Sequence, residues 1–121
     1  MGFLTTSFVY VKIYKNRIVS QIPSENKTIE NVGEFSHPRM LIGKFKEAVK
    51  LLSHALKLAY PAKFLKPNLI LIIHPKETLE GGLSEIEERV LMEMGLEAGA
   101  RQVKIWQGHD LSRDEIMGFK L

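Results

Sequence analysis

The stretch "NLILIIHP" (residues 68–75) restricts the possible folds more than any other part of the chain. Leu69 to Ile73 are all apolar, and Pro67 and Pro75 close the run on either side. It is too short for a buried helix and has no polar alternation, so it reads as a strand buried on both faces. Strands of this kind lie inside parallel or mixed sheets covered on both sides. The rest of the chain must therefore supply strands beside it and helices to pack on them.

The preceding segments do so. "SFVYVKIYKNRIVSQIP" (7–23) alternates, with Val9, Val11 and Ile13 pointing one way. Phe8, Tyr10, Lys12 and Tyr14 point the other. "YKNR" (14–17) suits a hairpin turn, because Asn16 tolerates positive φ, and a second strand follows over Arg17–Ile22. "PSENKT" (23–28) is another turn, and "TIENVGEF" (28–35) suggests a third strand at a sheet edge. After "SHPR" (36–39) the period changes. Leu41, Phe45, Ala48, Val49, Leu52, Ala55, Leu56 and Ala59 recur at three- and four-residue steps, with Lys46, Lys50, Ser53 and Lys57 opposite them. That pattern predicts a helix from Leu41 onward, ended near Tyr60 by Pro61.

Beyond the buried strand, "KETLEGG" (76–82) is a connection; its lysine precedes the glycines, so it is no phosphate loop. Ser84 and Glu87 form a capping box for a second helix, with Ile86, Val90, Leu91 and Met94 as its inner stripe. "GLEAGAR" (95–101) closes it and "QVKIWQ" (102–107) is a last strand. "SRDEIMGF" (112–119) has the spacing for a final helical turn, capped by Ser112 with Glu115. The expected order is β-β-β-α-β-α-β in one domain over 1–121. With right-handed crossovers this gives an α/β fold, a mixed five-stranded sheet in the order 3-2-1-4-5. That is the ribonuclease-H-like arrangement shared by actin-like subdomains.

Composition narrows the chemistry. The absence of Cys excludes disulfides, thiolate metal sites and a Cys nucleophile. With no long apolar run and no export-type N-terminus, a cytoplasmic location without a membrane span is expected. "MGFLTT" matches the loose acylation pattern, a match common by chance. Residues 1–66 hold eleven Lys/Arg against four Glu, and residues 67–121 hold six against ten acids. Such a split suits a two-signed surface for head-to-tail contacts or an acidic partner, as well as a plain solvated one. The lysine stripe 46/50/57 has no interleaved aromatic to stack a base, so a solvated helix face is expected there in place of a nucleic-acid contact.

The motifs resemble the first subdomain of the MreB family of bacterial actin homologues, which are actin-like ATPases. "VYVK" (9–12) with "RIVSQIPS" (17–24) is similar to that family's first hairpin. "HPRMLIGKFKEAVKLLSHAL" (37–56) is similar to the approach to its long helix, and "LILIIHP" (69–75) to its buried strand. "IEERVLMEMGLEAGARQVKIWQ" (86–107) resembles its helix, Ala-Gly-Ala-Arg turn and following strand. The likeness spans roughly residues 5–108.

Where the resemblance implies phosphate chemistry, the residues depart from it. Met1 stands where the family has its metal-facing Asp, and Phe3 where a Gly lets the backbone approach phosphate. Thr5, Thr6 and Ser7 keep hydroxyls. Gln107 and Gly108 replace the family's Glu-Glu-Pro, and the chain ends before the second half that carries the other phosphate loop. The acids agree independently of any family. The first Asp is Asp110, and residues 1–24 hold no acid to position Mg²⁺. His37, His54, His74 and His109 lack helical metal-ligand spacing. The expectation is therefore a protein that is not an enzyme, with no catalytic residue, metal or cofactor.

His74, at the end of the buried strand, and the degenerate Thr5–Ser7 loop are the candidate binding residues. Trp106 and His109 are the candidate contact residues; His109, Asp110 and Glu115 could also gather at the edge near His74 as a His–Asp pair does in catalysis, but no nucleophile stands beside them. The expected role is a scaffold or adaptor acting on a protein partner, an actin-like filament protein or a second copy. The alternative is a small-ligand or nucleotide module completed by dimerisation, and a basic nucleic-acid adaptor is a third reading.

Overall fold

The structure is a computed structural model that describes residues 6–61, 68–77 and 82–120. Five strands form one sheet in the order β3-β2-β1-β4-β5. They are β1 (Thr6–Tyr14), β2 (Arg17–Ile22), β3 (Lys27–Val32), β4 (Asn68–Pro75) and β5 (Gln102–Ile105). The first three are antiparallel neighbours, while β4 runs parallel to β1 and β5 parallel to β4. This is the expected α/β order. Asn16 turns the first hairpin at φ 57°, and a 3-10 turn over Pro23–Glu25 ends with Asn26 at φ 51°.

Two helices, α1 (Phe45–Ala59) and α2 (Glu85–Glu97), cover one face of the sheet. Ala48, Leu52 and Leu56 of α1 and Leu91, Met94 and Ala98 at α2 meet Val9, Val11, Ile13, Leu71, Ile73 and Val103. The alternation read from the sequence thus assigns β1 correctly. Gly95 brings α2 close to the strands, since a Cβ there would come within 2.7 Å of Val103 Cγ2. Ser84 caps α2 in a reciprocal box with Glu87, and Ser112 does the same with Glu115 for α3 (Arg113–Met117).

Two details of the helices differ from expectation. Leu41 belongs to the apolar stripe but lies, with its neighbour Ile42, before α1, which begins at Phe45. The Phe35 carbonyl accepts from the N–H groups of both Gly43 and Lys44 at 2.8 Å. This holds the segment as a buried loop, so Leu41 and Ile42 reach the core without helical backbone. Ile86 is not an inner residue of α2 but 76% exposed. The burial of Leu91, Met94 and Ala98 rotates it to the outside.

The opposite face of the sheet has a smaller cover. Tyr10 and Ile72 are buried there under Leu111 and Ile116, with Phe8, Trp106 and Phe119 around them. The C-terminal residues after β5 thus form a strap across β4 and β1. Among the described residues, no helix is long and apolar enough to cross a membrane.

Candidate functional site

Open α/β sheets hold ligands outside the carboxyl ends of their parallel strands. In this chain that edge lies where β1 ends at Tyr14 and β4 at Pro75. Register places Lys12 beside His74, both on the strap face of the sheet with Tyr10. The strap crosses here and brings Asp110 and Leu111 to the same point.

A chain of hydrogen bonds results. The Leu111 N–H donates to the Tyr10 hydroxyl at 3.2 Å, and Tyr10 Oη lies 2.5 Å from His74 Nδ1. The phenol accepts from the backbone, and in a neutral imidazole whose other nitrogen makes the backbone bond with Gly108, Nδ1 is the nitrogen left to accept the phenol proton. The proton of that tautomer is on Nε2. Tyr10 is fully buried and His74 is 3% exposed. Burial holds the Tyr10 phenol above its ordinary value, so the hydroxyl keeps its proton.

Charges close the edge. Lys76 Nζ donates to Asp110 Oδ1 at 2.5 Å, and Lys12 Nζ stands 3.9 Å from Asp110 Oδ2. The hydrogen bond from Lys76 is the main reason the Asp110 carboxyl is held below its ordinary range, and the same bond raises Lys76. Lys12 also sits 5.8 Å from the centre of the Tyr10 ring. Two further carboxylates nearby are engaged by the chain itself. Glu77 accepts from the Lys15 N–H at 2.7 Å, and Glu115 lies 2.7 Å from His109 Nε2. The Ser112 backbone, and then His109, hold Glu115 below its ordinary value. Among the described residues, no group of three or more His, Cys, Asp or Glu is placed to hold a metal ion.

Burial is the largest influence on His74 and Lys76 the next, and both hold its pKa below the ordinary value, against the pull of Asp110. The sign of the pH dependence follows. The unfolded chain takes up a proton on this residue near pH 6.5, whereas the folded chain does so at lower pH. The stability contributed is complete above about pH 6.5 and is lost as pH falls toward the folded pKa, with a slope of at most about 1.4 kcal/mol per pH unit for one proton. Urea titrations at pH 7.5 and pH 5 should show this loss. His74→Asn retains an acceptor for Tyr10 without the titration, and a profile equally steep in that variant would show that another group carries the effect.

The candidate residues from the sequence are spread over the sheet. Thr5 lies outside the described residues, and Thr6 is exposed at the start of β1. Ser7 pairs with Leu69, five residues from the pairing of Lys12 with His74, or about 17 Å along the strand. The Ser7 hydroxyl is 2.6 Å from the Tyr60 hydroxyl and 3.1 Å from that of Ser24, a bonded group at the opposite edge. Thr6 and Ser7 therefore do not meet His74 within one chain. Trp106 and His109 do come together: Trp106 Nε1–H donates to the His109 carbonyl at 2.8 Å, and the rings meet edge-on at 5.5 Å. Phe119 also packs edge-on against Trp106, with ring centroids 6.1 Å apart. Tyr10, Lys12 and Lys76 were not among the candidate residues. The signal for Tyr10 and Lys12 was the alternation of β1, which lines both on the face away from the helices; Lys76, one residue beyond β4, had no such signal.

No protein-family model matches the chain. It is similar to the uncharacterized protein YjaA of Escherichia coli (strain K12), with 32% identity over 116 residues, 92% of this chain and 90% of YjaA. Among solved structures it is similar to MreB5 of Spiroplasma citri bound to ADP, with a TM-score of 0.59 and 16% identity. That match covers 85% of this chain, which spans 38% of the MreB5 chain. At such identity the likeness carries the fold alone, so the resemblance to MreB holds as an actin-like fold.

Proposed function

The chain belongs to the family of E. coli YjaA, and from that footing we propose that it is a non-enzymatic actin-fold adaptor of the cytoplasm, acting through protein–protein contact. The observation that carries this reading is the strap. The edge where an open α/β sheet takes its ligand is occupied by Asp110 and Leu111 of the chain itself. Two lysines neutralise Asp110, so it is not presented to a metal–nucleotide complex. The buried Tyr10–His74 pair is built like a structural clasp, with each polar atom bonded inward.

An adaptor of this fold suits an actin-like filament protein as partner, by analogy of fold with MreB5. Isothermal titration with ATP and Mg²⁺ tests the negative half of the proposal. No binding and no turnover are expected, and micromolar affinity or any hydrolysis would overturn it. Co-sedimentation with the polymerised actin-like protein of the host tests the choice of partner. A protein left wholly in the supernatant would remove the filament from the proposal. A ligand site shared between Ser7 and His74 of two copies gains no support from the geometry, since both side chains are already bonded within their own chain.

A further inference from the structure

Between the strap and the turn that joins β2 to β3 lies a cavity of about 240 Å³. Its apolar lining comes from Ile22, Leu111 and Ile116, all buried, and its polar lining includes half-buried Gln21 and exposed Thr28 and Arg113. Gln21 and Thr28 are cross-strand partners, and Gln21 also pairs with Tyr10, so both side chains start on the strap face of the sheet. An amide and a hydroxyl thus stand on one wall and a guanidinium on the other.

The charge of this cavity has one sign. Arg113 and Lys27 line it, and no carboxylate does; Glu25 and Asp114, beside lining residues in sequence, are not part of the wall. The ion pairs among the described residues involve neither cation. Arg113 is nevertheless held in place, because its Nη2 donates to the Pro23 carbonyl across the cavity at 3.3 Å. That bond engages one of the five guanidinium N–H groups. Lys27 is opposite Ile22 in the ladder and starts on the other face, so it adds positive potential without a fixed bond. A guanidinium above an apolar base matches a carboxylate or phosphate carried on an apolar body. We propose that this cavity is a binding site for a small organic anion of that kind, held by Arg113 with Gln21 and Thr28 as further polar contacts. The volume is below the roughly 300–1,000 Å³ of sites for drug-sized ligands, which suits a single substituted ring and not a nucleotide. The site goes beyond the adaptor reading and does not depend on it. A ligand touching both walls would also tie the strap to the sheet.

Heteronuclear NMR titrations of the full chain with phenyl phosphate, benzoate and the neutral benzyl alcohol test the assignment. At least one of the two anions should bind with a dissociation constant on the order of 1 mM, a value usual for so small a molecule. Amide shifts should be confined to residues 21–28 and 111–116, and the tighter of the two anions tells a phosphate ligand from a carboxylate. Hydrogen exchange in the strap should slow when that anion saturates the protein. Arg113→Gln keeps a donor for the Pro23 carbonyl but removes the charge, and it should weaken binding about fivefold. Arg113→Lys, which restores the charge without the planar fork, should recover part of the loss. No shifts from either anion, equal binding of benzyl alcohol, or an Arg113→Gln protein that binds like the parent would overturn the proposal. The ATP titration reports on the adaptor reading separately, so the two can fail independently.

Discussion

Replacing Tyr10 with Phe is expected to destabilise the protein by about 2–4 kcal/mol while leaving its secondary structure intact. The ring stays, so packing against Ile72, Leu111 and Ile116 is kept. What disappears is one hydroxyl with two partners. The Leu111 N–H loses its acceptor and His74 Nδ1 its donor, both in buried surroundings. A buried polar group stranded in this way costs about 1–3 kcal/mol, more than the net worth of the bond that satisfied it. The urea midpoint should fall with an unchanged m-value, since the folded state remains compact. A second readout separates this network from general damage. The Tyr10 hydroxyl favours the neutral imidazole by donating to it, so its loss raises the folded-state pKa of His74. The acid-induced loss of stability should then become shallower in Tyr10→Phe. A variant with full stability, or one with a steeper acid profile, would contradict the assigned direction of the bonds.

The two sides of the sheet differ in how well the sequence discloses them. The helical side was legible because its signals are local. Asn16 marks the hairpin, Pro67 and Pro75 bracket the buried strand, and Ser84 with Glu87 marks the start of α2. Period alone also separated Val9, Val11 and Ile13 from Tyr10 and Lys12. The strap side depends on partners far apart in the chain. Tyr10 meets His74 across 64 residues and Leu111 across 101, and neither spacing nor propensity specifies such a pairing. The available hint was incomplete: one face of β1 carried Phe8, Tyr10 and Lys12, no long helix remained to cover it, and the short capped turn with Ile116, flanked by Leu111 and Phe119, had nothing else to cover. Ile86 and Leu41 failed for a different reason. A stripe of apolar residues sets a helical face within about one residue either side, and a buried loop satisfies the same pattern. The degenerate phosphate loop was legible as residue types, but the pairing of Ser7 with Tyr60 and Ser24, at the edge opposite His74, joins distant parts of the chain and has no local signal.

The largest single loss is expected at Phe35, which no periodic pattern singles out. It follows β3 in the long connection to α1, yet its side chain is fully buried beneath the helical layer. Its backbone is anchored at both ends of the loop. The N–H donates to Asn16 Oδ1 at 2.9 Å, and the carbonyl accepts from Gly43 and Lys44. Asn16 also accepts from Ser36 at 2.8 Å, so the residue that turns the first hairpin fastens the loop as well. These bonds prevent the loop from closing over a missing ring, which is the condition under which a cavity is most costly. Phe35→Ala should therefore lose about 3–5 kcal/mol, a large part of the 5–15 kcal/mol typical of whole domains. Phe35→Leu, which keeps most of the volume, should lose less. The effect should reach the helical layer, because the same loop carries Met40, Leu41 and Ile42 up to Leu83, Ile86 and Val90 at the start of α2. Hydrogen exchange in Phe35→Ala should accordingly rise in residues 33–44 and in the first turns of α1 and α2 before it rises in β4. Even exchange across the whole chain, or a loss below about 1 kcal/mol, would mean that the loop collapses onto the gap and does not act as the fastening described.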